Sequence, residues 1–129
     1  MSKTLIVEDS SFYRQLFKEA LRSKFPSMEI SEASNGDEAL QKVARLHPHI
    51  VFMDIKLPGE NGLELTKKIK DQYPEIQVVI LTGYDIPEYR EAAFKNKANH
   101  FLSKGSATKE NILDLVQSIL SDLKTNEPS

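Results

Sequence analysis

Five polar residues stand out because each lies just after a short apolar run: Glu8, Asp9, Asp54, Thr82 and Lys104. Their side chains offer three carboxylates, one hydroxyl and one ammonium group. Three carboxylates that pack together repel one another, and they stay ionised at neutral pH only if a cation offsets their charge. Oxygen ligands without His or Cys suit Mg²⁺, which binds one or two carboxylates and keeps other positions for water and phosphate oxygens. These residue types therefore indicate metal-assisted chemistry on a phosphoryl group.

Asp54 is the natural nucleophile of this set, since carboxylates form aspartyl-phosphate intermediates. It directly follows four apolar residues, Ile50 to Met53, and so must emerge at the edge of a sheet. The hydroxyl of Thr82 and the ammonium group of Lys104 would then surround the transferred group and stabilise its equatorial oxygens, which is the main demand of phosphoryl transfer. Each residue alone has an ordinary alternative role, as a helix cap or a surface charge, and only their combination favours a site.

The elements that must position these residues alternate between strand and helix along the chain. Apolar runs rich in Val, Ile and Leu predict strands, and amphipathic stretches with apolar residues at intervals of three and four predict helices between them. The predicted strands are Lys3 to Val7, Glu29 to Ala33, Ile50 to Met53, Gln77 to Leu81 and His100 to Leu102. The predicted helices are Ser11 to Phe25, Gly36 to Leu46, Gly62 to Tyr73, Pro87 to Lys97 and Lys109 to Leu123.

This alternation predicts a three-layer α/β sandwich in which a five-stranded parallel sheet is flanked by five helices. The third and fourth predicted strands are apolar throughout, as expected of strands that are buried on both faces. The flavodoxin-like strand order 2-1-3-4-5 is the obvious candidate. In that order the ends of the first, third, fourth and fifth strands are neighbours, so the five polar residues converge on one pocket. Thr108 and Asn111 are predicted to cap the last helix.

With these residues in place, the chain resembles the receiver domain of two-component response regulators, from Lys3 to about Leu123. The family's acidic pair resembles Glu8-Asp9, its phosphoacceptor resembles Asp54, and its proline and glycine, four and eight residues further on, are matched by Pro58 and Gly62. The family's switch hydroxyl resembles Thr82, its lysine resembles Lys104, and Phe101 takes the place of the aromatic switch residue. Any one of these matches is weak, but five in order at the right strand ends are specific.

The resemblance implies a set of site residues and partners. Mg²⁺ would be bound by Glu8, Asp9, Asp54 and the backbone carbonyl of Lys56, while Lys56 and Tyr84 occupy the positions thought to tune the lifetime of the phosphoryl group. A sensor histidine kinase or a histidine phosphotransfer protein would supply that group. The fourth helix, fifth strand and fifth helix would form the face that binds an output protein or a second copy. The only catalysis implied is of the domain's own phosphorylation and dephosphorylation.

One departure from the family and several alternatives remain. The family often has proline after its lysine, in a cis peptide, whereas this chain has Gly105, so a trans bond is expected. Receivers joined to helix-turn-helix output domains often lack that proline too, so the chain is alternatively a fragment of a DNA-binding transcription regulator. A phosphorylation-independent interaction domain is another alternative. A phosphatase on the same fold is disfavoured because Lys56 stands where such enzymes commonly need a second carboxylate.

Composition excludes other classes. The chain has no cysteine, and 17 Lys plus Arg against 19 Asp plus Glu give a formal charge of -2, which suggests no nucleic-acid or anionic-membrane footprint. No apolar run approaches membrane-spanning length, so a cytoplasmic domain of residues 1–124 with a flexible tail of residues 125–129 is expected.

On the first helix, Phe12, Tyr13, Phe17 and Phe25 are interpreted as packing residues. Lys67, Lys68 and Lys70 are interpreted as a solvated helix face.

Overall fold

The computed structural model describes residues 2–126 and contains five strands and five helices in strict alternation. The strands are β1 (Lys3–Val7), β2 (Glu29–Ala33), β3 (Ile50–Met53), β4 (Gln77–Thr82) and β5 (His100–Ser103). The helices are α1 (Ser11–Lys24), α2 (Gly36–Leu46), α3 (Gly62–Gln72), α4 (Pro87–Lys95) and α5 (Lys109–Asn126). The sheet is parallel throughout in the order β2-β1-β3-β4-β5, which confirms the predicted topology.

Two hydrophobic layers cover the sheet, one on each face. Alternate residues of the central strands point to opposite sides, so Val51 and Met53 belong to one layer, and Ile50 and Phe52 belong to the other. Helices α2, α3 and α4 contribute buried side chains to the first layer, and α1 and α5 contribute them to the second. This two-sided burial explains why β3 reads as a continuous apolar run.

Strand register brings the site-forming ends together. Val7 pairs with Met53 across β1 and β3, and Thr82 pairs with Ser103 across β4 and β5. Because the carboxyl ends of parallel strands meet at one edge, the residues that follow them lie side by side there. The alignment continues beyond the strands, since the Asp54 N–H donates to the Val7 carbonyl at 3.1 Å.

Element boundaries differ from the prediction by one to three residues. Strands β4 and β5 each extend one residue further, because Thr82 and Ser103 still form a ladder pair. Helix α5 is described to Asn126 rather than ending at Leu123, and residues 127–129 of the predicted tail lie outside the described residues. The start of α5 carries the predicted cap. The Asn111 N–H donates to Thr108 Oγ1, and the Thr108 N–H donates to Asn111 Oδ1, both at 3.0 Å.

Two sequence interpretations are wrong. Lys70 is not part of a solvated face: only 7% of it is exposed, and its ammonium group donates to the carbonyls of Pro74 and Ile76, both at 2.7 Å. Phe12 does not pack in the core, because 74% of it is exposed. The helical period places Lys70 and Phe12 on the opposite faces from those assumed. Within residues 2–126, no helix is long and apolar enough to cross a membrane.

Candidate functional site

The acidic residues meet where β1 and β3 end. Glu8 and Asp54 are buried, with 3% and 8% of their surface exposed, whereas Asp9 is exposed. Each of the three carboxylates offers an oxygen within 4.8 Å of the other two. The structure therefore brings the predicted acidic cluster together, with two members inside the pocket and one at its rim.

Lys104 completes the cluster from the end of β5. Its backbone N–H donates to the Thr82 carbonyl at 2.8 Å, which fixes the start of the side chain beside β4. Its ammonium group pairs with Glu8 Oε1 and lies 3.1 Å from Asp54 Oδ2. The Nζ atom is also 4.2 Å from the ring centroid of Tyr13 on α1. One cation thus faces two buried carboxylates and an aromatic ring.

Burial and charge shift the acid–base properties of this pair. Burial, with the hydrogen bond and charge of Asp54, raises the pKa of Glu8 to about 7, and the contact with Lys104 only partly opposes that rise. Burial disfavours the charged form of Lys104, but the hydrogen bond that it donates to Glu8 and the charge of Asp54 outweigh this effect, so the pKa of Lys104 is raised. The lysine therefore stays charged near neutral pH, while a pKa of about 7 means that Glu8 is partly protonated there.

The donor set fits a hard divalent cation. Glu8 Oε2 is buried and has no hydrogen-bond partner among the described residues, and a buried carboxylate oxygen left without a partner is costly. Asp9 and Asp54 supply further carboxylate oxygens nearby, and the cluster contains no His or Cys. Such all-oxygen ligands are those that Mg²⁺ prefers. Glu8 Oε2 is thus an available ligand atom, whereas Glu8 Oε1 is held by Lys104.

The loop after Asp54 is held tightly against α3. Asp54 Oδ1 accepts the Ile55 N–H at 2.7 Å, and the Ile55 carbonyl accepts the Gly62 N–H at 2.9 Å. A Cβ atom at Gly62 would lie 1.9 Å from the Asp54 carbonyl oxygen, so only glycine permits this approach. The matched glycine eight residues after Asp54 therefore has a structural reason.

Lys56 and Tyr84 lie at the outer side of this loop. The Lys56 ammonium group is 5.4 Å from the ring centroid of Tyr84 and 5.6 Å from that of Tyr89, and the two rings meet edge to face at 6.2 Å. Both Lys56 and Tyr84 are exposed. The side chains at the two predicted lifetime-tuning positions therefore interact with each other through a cation–π contact.

The two predicted switch residues lie on β4 and β5. Thr82 is fully buried, and its Oγ1 accepts the Tyr84 N–H at 3.2 Å. Phe101 is 5% exposed and packs in the layer beneath α2, α3 and α4. The guanidinium carbon of Arg90 lies 4.9 Å from the Phe101 ring centroid. In this structure Thr82 is engaged with the β4–α4 loop, and the ring of Phe101 is covered by an arginine of α4.

The first turn of α1 contributes Arg14 and Tyr13 to the site, and sequence reasoning missed the role of Tyr13. Arg14 Nη1 donates to the Glu8 carbonyl at 2.5 Å, and Tyr13 places its ring against the ammonium group of Lys104. Tyr13 follows Asp9 by four residues, a spacing that puts a helical residue above the chain that leads into the helix. That spacing was the available signal, but an aromatic residue in an amphipathic helix is also consistent with plain packing.

Comparisons with known proteins agree with this architecture. A family model described as the response regulator receiver domain matches residues 4–117. The transcriptional regulatory protein YesN of Bacillus subtilis (strain 168) is 37% identical over 98 residues, which are 76% of this chain and 26% of YesN. The oxygen regulatory protein NreC of Staphylococcus haemolyticus (strain JCSC1435) is 34% identical over 112 residues, which are 86% of this chain and 52% of NreC. The chain thus spans about half of one relative and a quarter of the other.

A solved structure shares the fold. The CheY-like response regulator receiver domain protein of Methanospirillum hungatei JF-1 superposes with a TM-score of 0.89 at 24% sequence identity, and the match covers 98% of this chain and 99% of that one. This likeness concerns the fold, while the family match rests on the sequence. Since the family model covers most of the chain, and the sheet order and the acidic cluster agree with it, this chain belongs to the receiver domains of two-component response regulators.

Proposed function

We propose that this receiver domain accepts a phosphoryl group on Asp54 and uses it to change its affinity for a partner. The observation that carries the proposal is the contact between Asp54 Oδ2 and Lys104 Nζ at 3.1 Å, beside two further carboxylates. This arrangement sets a cation beside a buried carboxylate, and it supports phosphoryl transfer because a cation there would stabilise the charge that develops on the phosphoryl oxygens.

The proposed reaction transfers a phosphoryl group from a phosphohistidine. A carboxylate oxygen of Asp54 attacks phosphorus, the phosphorus–nitrogen bond breaks, and the leaving imidazole takes up a proton. The donor is a sensor histidine kinase or a histidine phosphotransfer protein. Lys104 stabilises the negative charge on the phosphoryl oxygens, and the hydroxyl of Thr82 becomes a hydrogen-bond donor to them once it turns towards Asp54. Hydrolysis of the acyl phosphate by water returns Asp54 to its free form.

Mg²⁺ is the proposed cofactor. Glu8, Asp9, Asp54 and the backbone carbonyl of Lys56 would hold it, and the unpartnered Glu8 Oε2 supports this assignment. When bound, the ion neutralises charge on the carboxylates and on the phosphoryl oxygens. Beyond its own phosphorylation and dephosphorylation, the domain is proposed to be no enzyme.

The proposed output is a change at the face formed by α4, β5 and α5. Thr82 accepts a hydrogen bond from Tyr84 in the loop that leads into α4, and Phe101 of β5 contacts Arg90 of α4. Movement of Thr82 towards a phosphoryl group would release the Tyr84 N–H and so change the β4–α4 loop. An output protein or a second copy would then bind with altered affinity. We place this activity in the cytoplasm and propose no contact of this domain with nucleic acid or membrane.

A second proposal concerns the natural context. Both relatives are longer than this chain, and YesN is named a transcriptional regulatory protein. This favours a receiver that controls a DNA-binding output domain on the same polypeptide. The face of α4, β5 and α5 would then act on that domain.

Intact-mass measurement tests the acceptor. The protein is incubated with acetyl phosphate or a histidine kinase, with and without Mg²⁺, and compared with Asp54→Asn. Asp114→Asn, which changes an exposed aspartate on α5, serves as the matched control. We expect one added phosphoryl group that requires Mg²⁺, persists in the control and is lost in Asp54→Asn. A folded protein that gains no phosphoryl group from either donor would refute the proposal and favour a phosphorylation-independent interaction domain.

A further inference from the structure

The ring of Tyr13 forms one wall of the space that holds the Lys104 ammonium group. The Nζ atom lies 4.2 Å from the ring centroid, within the range of a strong cation–π contact. The remaining partners of Nζ are Glu8 Oε1 and Asp54 Oδ2. The side chain of Lys104 is 20% exposed, so its contact with the ring is shielded from most of the solvent. A desolvated contact of this kind is stronger than one at an exposed site.

The position of the Tyr13 ring is fixed by its neighbours. It stacks on Phe17 with ring centroids 6.3 Å apart and planes at 20°, and Phe17 meets Phe52 of β3 edge to face at 4.7 Å. The Tyr13 backbone N–H donates to Ser10 Oγ at 3.2 Å, which caps the helix. The ring is therefore anchored through a continuous aromatic series to the strand that directly precedes Asp54.

The first turn of α1 is also tied to the acidic cluster. Arg14, the next residue, donates to the Glu8 carbonyl at 2.5 Å and so links the helix to the end of β1. The distance between the ring and the carboxylates is thereby set by hydrogen bonds on one side and by core packing on the other. Such a wall is rigid, in contrast to the four flexible torsions of the lysine that it faces.

We propose that Tyr13 is a positioning residue that holds the Lys104 ammonium group beside Asp54 during phosphoryl transfer. This inference rests on the proposed function of Asp54. The ring face is a further contact on the ammonium group, besides the carboxylates of Glu8 and Asp54. The aromatic face is the essential feature, and the phenolic hydroxyl is not. An aliphatic side chain at position 13 would preserve packing on Phe17 but would not attract the cation.

Kinetics of phosphorylation separate this role from simple packing. Initial rates are measured with acetyl phosphate and Mg²⁺ for wild type, Tyr13→Phe and Tyr13→Leu. We expect Tyr13→Phe to stay within about twofold of wild type, and Tyr13→Leu to fall roughly threefold to thirtyfold, the range of a cation–π contact in a partly desolvated site. Circular dichroism and thermal unfolding establish that both variants are folded under the assay conditions.

A double-mutant cycle tests whether the loss of phosphorylation rate in Tyr13→Leu acts through Lys104. In a Lys104→Met background no ammonium group remains for the ring to hold, so Tyr13→Leu should cause no further loss there. An equal loss in both backgrounds would overturn the proposal and leave Tyr13 a packing residue. A wild-type rate for Tyr13→Leu would overturn it as well. Failure of the wild type itself to accept a phosphoryl group would instead refute the proposed function, and the positioning role with it.

Nuclear magnetic resonance provides a readout that does not depend on activity. Lys104 Nζ lies over the Tyr13 ring, 4.2 Å from its centroid, and ring currents should therefore shift the signals of the neighbouring ε-methylene protons upfield. We expect this shift in wild type and in Tyr13→Phe, and its loss in Tyr13→Leu. An unshifted Lys104 signal in the wild type would show that the contact does not persist in solution and would overturn the inference.

Discussion

The ammonium group of Lys104 lies 3.1 Å from a carboxylate oxygen of Asp54, although 50 residues separate them in the chain. The same group pairs with Glu8, so one cation faces two buried carboxylates. Each end of this contact can be tested separately.

Replacing Lys104 with Met should slow phosphorylation while strengthening the effect of Mg²⁺ on stability. Loss of a cation aimed at the transferred group typically costs on the order of 10²-fold in rate. Without the ammonium group, Mg²⁺ no longer competes with a cation for Glu8 and Asp54, so it should raise the melting temperature more than in wild type. Mass spectrometry and thermal unfolding measure the two effects. Lys109→Met, which alters an exposed lysine on α5, is the control, and an equal response to Mg²⁺ in both variants would contradict the explanation.

The stability of the metal-free protein should fall as pH rises through neutrality. Burial raises the pKa of Glu8 from 4.5 to about 7 on folding, so the folded state binds more protons between these values. The contribution of this group is complete below pH 4.5 and is lost as pH rises through 7, by about 3 kcal/mol at most. Urea unfolding in a chelator should show Glu8→Gln gaining stability relative to wild type between pH 5 and 8. A constant difference over that range would disprove the assignment.

Gly62→Ala should destabilise the fold by at least about 2 kcal/mol, because its Cβ would lie 1.9 Å from the Asp54 carbonyl oxygen. The backbone there packs against the loop that follows Asp54, and it can move only by disturbing the Asp54 peptide. Gly83→Ala is the matched control, since a Cβ at that position would meet no atom within 4 Å. Chemical denaturation measures both variants. Similar free energies of unfolding for the two would show that the loop adapts without cost.

Lys70→Met should lower the free energy of unfolding by about 2 kcal/mol. The substitution retains the buried stem but removes both hydrogen bonds to the carbonyls of Pro74 and Ile76. Lys67→Met on the same helix should change stability by less than about 0.5 kcal/mol, because Lys67 forms an exposed ion pair with Asp71. Denaturation of the two variants side by side gives the comparison, and equal losses would mean that Lys70 contributes no more than a surface lysine.

The phosphoryl group on Asp54 should persist well beyond seconds. The Lys56 side chain and the ring of Tyr84 lie together at the outer side of the loop after Asp54, where they would limit the approach of water. Tyr84→Ala and Lys56→Ala should each accelerate dephosphorylation about threefold or more, since either change breaks the contact between the two side chains. Decay of the phosphorylated mass after removal of the donor gives the rate. A wild-type half-life in the seconds range, or unchanged decay in both variants, would count against shielding.

The local pattern of apolar and polar residues was sufficient to predict the architecture. Continuous apolar runs such as Ile50–Met53 and helical periodicity between them depend on residue type alone, so the strand order and the polar residues at strand ends followed from general rules of parallel sheets. The same rules placed Glu8, Asp54 and Lys104 in one pocket. The ends of β4 and β5 were each predicted one residue short, because the last ladder pair, Thr82 with Ser103, forms only when the two strands lie side by side.

Only the tertiary structure decided what each side chain contacts. Lysine is usually a surface residue, yet Lys70 is buried because its ammonium group donates hydrogen bonds to two carbonyls of the loop that follows α3. Phe12 and Tyr13 are adjacent aromatic residues, but one faces solvent and the other faces Lys104, a residue from the opposite end of the chain. The sequence by itself determined the sheet order and the chemistry of the pocket, because both depend on periodicity and residue type. Which partner each charged side chain contacts was decided by the tertiary structure. These contacts join residues far apart in the sequence, at distances that local periodicity does not encode.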